Sequence, residues 1–323
     1  MTAPTRRACL AALAALPVAG RARAQAYPSR PVRVVVPFGA GGVADITTRI
    51  VTEKVGERLG GRFVVENMPS AGGVVAGRTV AAAEPDGHTL VLFTNGTAVS
   101  VNLFNKLPFD PVAGFAPVST LGNFDFLFAV NKASGIDGIP ALLGRAKEKP
   151  GSINVATVAV GSTQHLASVL FANLSGAGFV HVPFRNTPEA LTALIRQDVQ
   201  VVIDSQATMK AGLEGGEIRA IATSGGRRSA FLPDVPTVQE AGVPGYDVTS
   251  WNALFAPAAT PAPVVSRLSE AAREVLGLPE VRARLADLGI EASPETPDVL
   301  GARLRADVAR WRGVIDRAGI PKQ

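Results

Sequence analysis

From residue 31 onward, short blocks of β-branched and aromatic residues alternate with longer stretches whose apolar positions recur every three or four residues. Pro31-Val32-Arg33-Val34-Val35-Val36-Pro37 has the composition of a short buried strand. After it, 45–59 carries apolar residues at Ile46, Ile50, Val51, Val55 and Leu59, the stripe of a helix. The same alternation predicts strands at 63–66 and 89–93, with a small-residue helix at 74–83 between them. A proline-rich stretch, 105–117, reads as a connecting loop, and 124–131 as a strand. A second series follows: helix 139–149, strand 153–157, helix 163–174, strand 180–182, helix 188–196, then strands 199–203 and 218–223. A Pro/Gly-rich loop ends near Tyr246, 251–256 is extended, and charged amphipathic helices at 264–276, 279–288 and 297–318 close the chain. Strands alternating with helices imply a mostly parallel sheet covered on both faces, so the pattern predicts two α/β lobes and a helical tail.

Composition supports this picture. The 323 residues are 47% hydrophobic and 18% charged, which excludes disorder, and 33 Gly and 24 Pro without a period exclude a collagen-like chain. The formal net charge of +5 suggests an anionic partner until the amino terminus is considered. Residues 1–26 place Arg6-Arg7 before an apolar run from Ala8 to Ala19, followed by small-residue sites at Ala22-Arg23-Ala24 and Ala24-Gln25-Ala26. This is the layout of a secretory signal peptide, and the run is too short to span a bilayer core of roughly 30 Å. Thr5-Arg6-Arg7-Ala8-Cys9-Leu10 also resembles a twin-arginine signal. Cleavage after Ala26 removes four of the 32 basic residues and none of the 27 acidic ones, leaving a net charge of +1. Bulk charge then gives no argument for nucleic acid. The only cysteine, Cys9, leaves with the leader, which excludes disulfides, cysteine-ligated zinc and thiol catalysis in the mature chain.

The most informative text is Phe38-Gly39-Ala40-Gly41-Gly42-Val43-Ala44-Asp45, between the first strand and the first helix. Glycines let the backbone turn tightly and approach a ligand, and the following helix offers unpaired N–H groups at its positive end. Asp45 either caps that helix or receives a donor from the ligand. One rival fits the same letters: Gly39-x-Gly41-x-x-Ala44, with Glu66 closing the next strand, matches the dinucleotide fingerprint of an oxidoreductase. Against it, Pro37-Phe38 stiffens the strand exit, and an exported protein meets little nicotinamide cofactor. The second half repeats the device. Strand 153–157 leads through Val158-Ala159-Val160-Gly161-Ser162-Thr163 into a helix, where Gly161 permits a turn and Ser162 or Thr163 presents a hydroxyl or caps the helix. Two such corners can hold one anionic group between them.

Arg185 and Asp204 end strands, where ligands gather in such sheets, and each is either a ligand contact or a solvated loop charge. His88, His165 and His181 lack metal-ligand spacing, and Ser162 and Ser205 lack the G-x-S-x-G setting of a hydrolase.

Several strings recur in order: Tyr27-Pro28-Ser29-Arg30-Pro31, VVPFGAGGVAD at 35–45, Val65-Glu66-Asn67-Met68-Pro69-Ser70-Ala71-Gly72-Gly73 and Pro85-Asp86-Gly87-His88-Thr89-Leu90. Leu107-Pro108-Phe109-Asp110-Pro111, Phe115-Ala116-Pro117-Val118, Gly161-Ser162-Thr163-Gln164-His165-Leu166, His181-Val182-Pro183-Phe184, LPDVPTVQEAGVPGY at 232–246 and Trp251 continue them. On these the mature chain resembles the substrate-binding receptors of tripartite tricarboxylate transporters, the Bug receptor family. The resemblance implies a two-lobed periplasmic binding protein of type II. Each lobe is a mostly parallel sheet flanked by helices, and two crossover strands form the hinge. Lobe 1 is expected at 27–125 plus 249–323 and lobe 2 at 126–248, with the hinge near 124–126 and 248–250.

It implies no catalysis and no cofactor. The partners are a small organic carboxylate and a membrane transporter or sensor, with no nucleic acid, and the chain works as a monomer. Backbone amides and waters of the loops matching Phe38–Gly42 and Val158–Thr163 clamp the carboxylate, so affinity follows the protonation of the ligand and not of a histidine. The expected ligand-binding set is Phe38, Gly39, Ala40, Gly41, Gly42, Asp45, Val160, Gly161, Ser162, Thr163, Arg185 and Asp204. Ala40 stands where the family often has Pro. Val43 and Ala44 replace a frequent Gly and Ser/Thr, and Ala159 and Val160 a frequent Gly-Asn pair. These losses of polar side chains point toward an apolar or aromatic acid.

Overall fold

The computed structural model describes residues 27–317 and 319–323; the expected leader with its cleavage point and Cys9, and the last residue of the predicted 297–318 helix, lie outside them. The first series is β1 (Val32–Val36), α1 (Val43–Leu59), β2 (Phe63–Asn67), α2 (Val74–Ala81) and β3 (Thr89–Thr94). β1 lies parallel between β2 and β3. Its valines explain the placement: Val32, Val34, Val35 and Val36 are all fully buried, as a strand covered on both faces requires. Directly after β3 comes α3 (Asn95–Leu103), which the periodicity does not predict. Nearly every residue of α3 is buried, so it has no polar face to mark a helical stripe.

β4 (Phe115–Asn131) is 17 residues long, twice the predicted strand. Its start at 115–117 falls in the predicted loop and 118–123 carries no predicted element, because register shifts near Pro117 and Gly122 break the two-residue alternation. Next come α4 (Ile139–Glu148), β5 (Ile153–Val158), α5 (Thr163–Ser175), β6 (Phe179–Phe184), α6 (Thr187–Ile195), β7 (Val201–Ser205), α7 (Gln206–Glu214) and β8 (Ile218–Thr223). α7 is also absent from the pattern, since Ala207, Met209 and Gly212 make a sparse apolar face. The chain ends with β9 (Thr249–Pro257), α8 (Ala262–Gly277), α9 (Pro279–Ala286), β10 (Glu291–Ala292) and α10 (Pro297–Arg317).

The strand order is β2-β1-β3-β9-β4-β7-β5-β6, with β8 and β10 also paired to β4. β4 belongs to two groups of strands. Phe115 to Asp125 pairs antiparallel with β9, whereas Phe126 to Asn131 pairs with β7 and β8. β5 runs parallel to β6 and β7. The result is a mixed α/β fold of two sheets sharing one strand, with the chain returning to the first sheet at Thr249. α10 ties the return in place: Trp251 Nε1 donates to Asp307 Oδ2 at 2.7 Å and Trp311 Nε1 to Asn95 Oδ1 at 2.6 Å. No helix among the described residues is long and apolar enough to cross a membrane.

Candidate functional site

A cavity lies between the two sheets, at the carboxyl ends of β1, β3, β5 and β6. Three strand-to-helix corners meet there. The β1–α1 corner contributes Phe38, Gly39, Gly42, Val43 and Ala44; the β5–α5 corner Val158, Ala159, Thr163 and Gln164; the β6–α6 corner Arg185, Asn186 and Thr187. Thr94, Pro69, Phe124 and the β9 residues Ser250 and Asn252 complete the wall.

The corners supply hydrogen-bond donors because a helix start has no acceptors for its first N–H groups. In α1 the cap residue is Gly42, which offers no side-chain bond, and Ile46 N–H is the first to reach an intrahelical carbonyl, Gly42 O at 2.9 Å. In α5, Ser162 Oγ takes His165 N–H at 3.1 Å and Ser162 O takes Leu166 N–H at 3.1 Å, so the N–H groups of Thr163 and Gln164 precede the first helical bond. In α6, Asn186 Oδ1 takes Glu189 N–H at 2.9 Å, ahead of which stand Thr187 N–H and Pro188, which has none. Each start carries roughly half a positive charge. Arg185 is the one charged residue on the wall, and among the described residues no carboxylate lines it. The site is electropositive, rich in donors, and walled elsewhere by Phe38, Phe124, Val43 and Val158.

The expected residues divide into three groups. Phe38, Gly39, Gly42, Thr163 and Arg185 line the cavity. Off the wall are Ala40 and Gly41, exposed at the surface, and Asp45, buried behind it. Asp45 is buried and accepts from Gly41 N–H at 3.1 Å, Arg49 Nε at 2.9 Å and Asn67 Nδ2 at 3.0 Å. Burial pushes its carboxyl up, but those hydrogen bonds prevail and hold it below the ordinary carboxylate range. Asp204 also stands behind the wall, accepting from Thr187 Oγ1 at 2.7 Å, Ser205 N–H at 2.7 Å and Gln164 Nε2 at 3.4 Å. Complete burial raises its pKa; its hydrogen bonds orient two cavity residues, Thr187 and Gln164.

Val160, Gly161 and Ser162 belong to the contact between the halves. Gly72 N–H donates to Val160 O at 3.0 Å and Ser100 Oγ to Gly161 O at 3.1 Å. Ser162 Oγ donates to Val158 O at 2.6 Å while capping α5. Gly161 has φ +85°, and a Cβ there would stand 2.6 Å from Phe104 and 3.2 Å from Gly72 Cα. His165 lies off the cavity, where burial, followed by the His181 charge, lowers its pKa to about 4.

Sequence reasoning missed Asn186 and Thr187, although Asn186-Thr187-Pro188-Glu189 is a legible helix start. It also missed Ser250 and Asn252, for which no signal exists: their facing depends on how β9 pairs with β3 and β4.

Residues 47–320 match the model of the TctC family, tripartite tricarboxylate transporter family receptor. The chain belongs to this family. MatC from Rhodopseudomonas palustris, solved with bound malate, is 35% identical at a TM-score of 0.85, covering 90% of this chain and 100% of that one. R. palustris Rpa4515, solved with adipate, is 32% identical at 0.88, covering 92% and 100%. The periplasmic binding protein BugD superposes at 0.87 with 29% identity over 92% of this chain and 100% of its own. BugT of Bordetella pertussis is 30% identical over 304 residues, 94% of this chain and 93% of its own.

TctC proteins are solute-binding receptors and not enzymes, and the fold here is that of the periplasmic binding proteins. The dinucleotide reading of residues 39–44 finds no support. Glu66, its expected ribose ligand, is paired with Arg33 on the neighbouring strand. A Cβ on Gly39 would lie 2.8 Å from Asn186 Cβ and 2.9 Å from Arg185 O, so this glycine makes room for the facing corner of the protein itself.

Proposed function

We propose that this TctC receptor is exported to the periplasm with its leader removed near Ala26. There, as a monomer, it captures a small organic carboxylate for the membrane subunits of a tripartite tricarboxylate-type transporter. The observation that carries this reading is the convergence of three helix starts and Arg185 on a cavity whose wall, among the described residues, holds no acid. The N–H groups of Val43, Ala44, Thr163, Gln164 and Thr187 grip the carboxylate oxygens, as charge-assisted bonds that closure of the lobes shields from water. Asp45 and Asp204 are positioning residues, the first bracing the α1 corner and the second orienting Thr187 and Gln164. Malate in MatC and adipate in Rpa4515 support a carboxylate guest, and the apolar wall favours one with a hydrocarbon body.

The lobes are 27–125 with 249–323, and 126–248. They close about a pivot at 124–126, where β4 changes partners, and at 248–250, where the chain returns. Since His165 lies off the cavity, affinity follows the protonation of the guest and not of that ring.

Native mass spectrometry of the protein isolated from the periplasm without refolding tests the reading. The expected spectrum shows a chain beginning at Tyr27 and a fraction carrying one small acid released on unfolding. A nucleotide, a sugar or another guest without a carboxyl group would overturn it.

A further inference from the structure

The cavity is crowded with donors, and one of its groups is of the opposite kind. Asn252 lies in the middle of β9, opposite Thr94 of β3, and is fully buried. Its Nδ2 donates to Thr47 Oγ1 at 3.1 Å and to Val43 O at 3.4 Å, both on α1. Thr47 Oγ1 donates in turn to Val43 O at 2.7 Å. Turned over, the amide would set its oxygen against the Val43 carbonyl, so the nitrogen stays with α1 and the oxygen is turned from it. That oxygen, Oδ1, has no hydrogen-bond partner among the described residues. Of the buried side-chain atoms left without a partner among the described residues, it alone belongs to a residue of the cavity wall.

A buried acceptor without a donor is costly, and a guest seated against this wall can supply one. The guest's donor is neutral. An ammonium would lie among three positive helix starts and Arg185 with no carboxylate on the wall to balance it. A hydroxyl fits: it gives its hydrogen to Asn252 Oδ1 and leaves the helix-start N–H groups to the carboxylate. Because Asn252 is bonded to the first turn of α1, the hydroxyl sits close to the carboxylate which that turn grips.

We infer that the guest is a hydroxycarboxylate bearing its hydroxyl near the carboxyl group, and that Asn252 is the residue that selects it. The inference rests on the carboxylate reading above and goes beyond it.

Calorimetric titration with matched acids that differ by one hydroxyl tests it: malate against succinate, lactate against propionate, mandelate against phenylacetate, and citrate against tricarballylate. In whichever pairs bind, the hydroxy acid is expected to bind about tenfold more tightly or better. Asn252→Leu is expected to shrink that gap to under twofold, whatever it does to the affinity the two members share. Asn252→Val, which also lacks the oxygen and is at home in a strand, serves if the leucine variant does not fold, and it should likewise shrink the hydroxy-acid advantage to under twofold. Equal affinities within the pairs, or an advantage that survives both substitutions, would overturn the inference and leave the carboxylate reading standing. If no acid in the panel binds, the carboxylate reading fails and the inference fails with it.

Discussion

The two glycine corners, 37–42 and 158–162, share a design in sequence and are held in opposite ways. The first is braced from within its own half: Asp45 takes Gly41 N–H and is itself held by Arg49 and Asn67. Its helix is left without a side-chain cap, so the first-turn donors of α1 are free to serve a guest. The second corner is capped by its own Ser162, and its carbonyls reach across to Gly72 and Ser100 of the other half. In the proposed function both corners offer amides to the guest, and the second, through Val160 and Gly161, also fastens the halves together. Similar glycine-rich text acquires different work from the bonds that surround it.

The largest effects should come from filling the gap between the halves. At Gly39 a side chain would meet Asn186 and Arg185 under 3.0 Å, and at Gly161 it would meet Phe104. Gly39→Val and Gly161→Val should each lower affinity by roughly a hundredfold, about 3 kcal/mol, in calorimetry. They should differ in stability. Gly161 sits at φ +85°, so its valine variant should lose a further 1–3 kcal/mol or so on chemical denaturation. Gly39 is outside that region of backbone space, and its variant should unfold near the parent's midpoint. Unaltered affinity in Gly39→Val would break the idea that the corners close on each other.

Smaller effects should separate gripping from fastening. Asp45→Ala frees Gly41 N–H and leaves Arg49 and Asn67 without their shared acceptor, so affinity should fall by about tenfold, in line with a loss of 1–2 kcal/mol. Ser162→Ala removes a cap, so stability should fall by about 1 kcal/mol while affinity moves less than about threefold. The reverse outcome in denaturation and titration would exchange the roles of the two corners.

Much of the fold is legible in the sequence because most strands and helices keep their period. β1 is a run of buried valines, and α1 keeps a regular apolar stripe with a left-handed Gly60 at its end. What escapes is where the period is erased. α3 is buried on nearly all sides, and the first half of β4 carries register shifts beside Pro117 and Gly122. The site divides in the same way. Glycine corners announce themselves through local backbone demands, and Arg185 through its place at a strand end. Asn252 does not: Asn in the middle of a strand says nothing until β9 is seen between β3 and β4, with α1 above it.

The central claim is that amides at three helix starts hold the guest's carboxylate, and amide NMR during titration with a bound acid measures this directly. The account predicts that the N–H resonances of Val43, Ala44, Thr163, Gln164 and Thr187 move downfield together and saturate at one equivalent of acid. Tight binding of that acid, with these five resonances left in place, would contradict it.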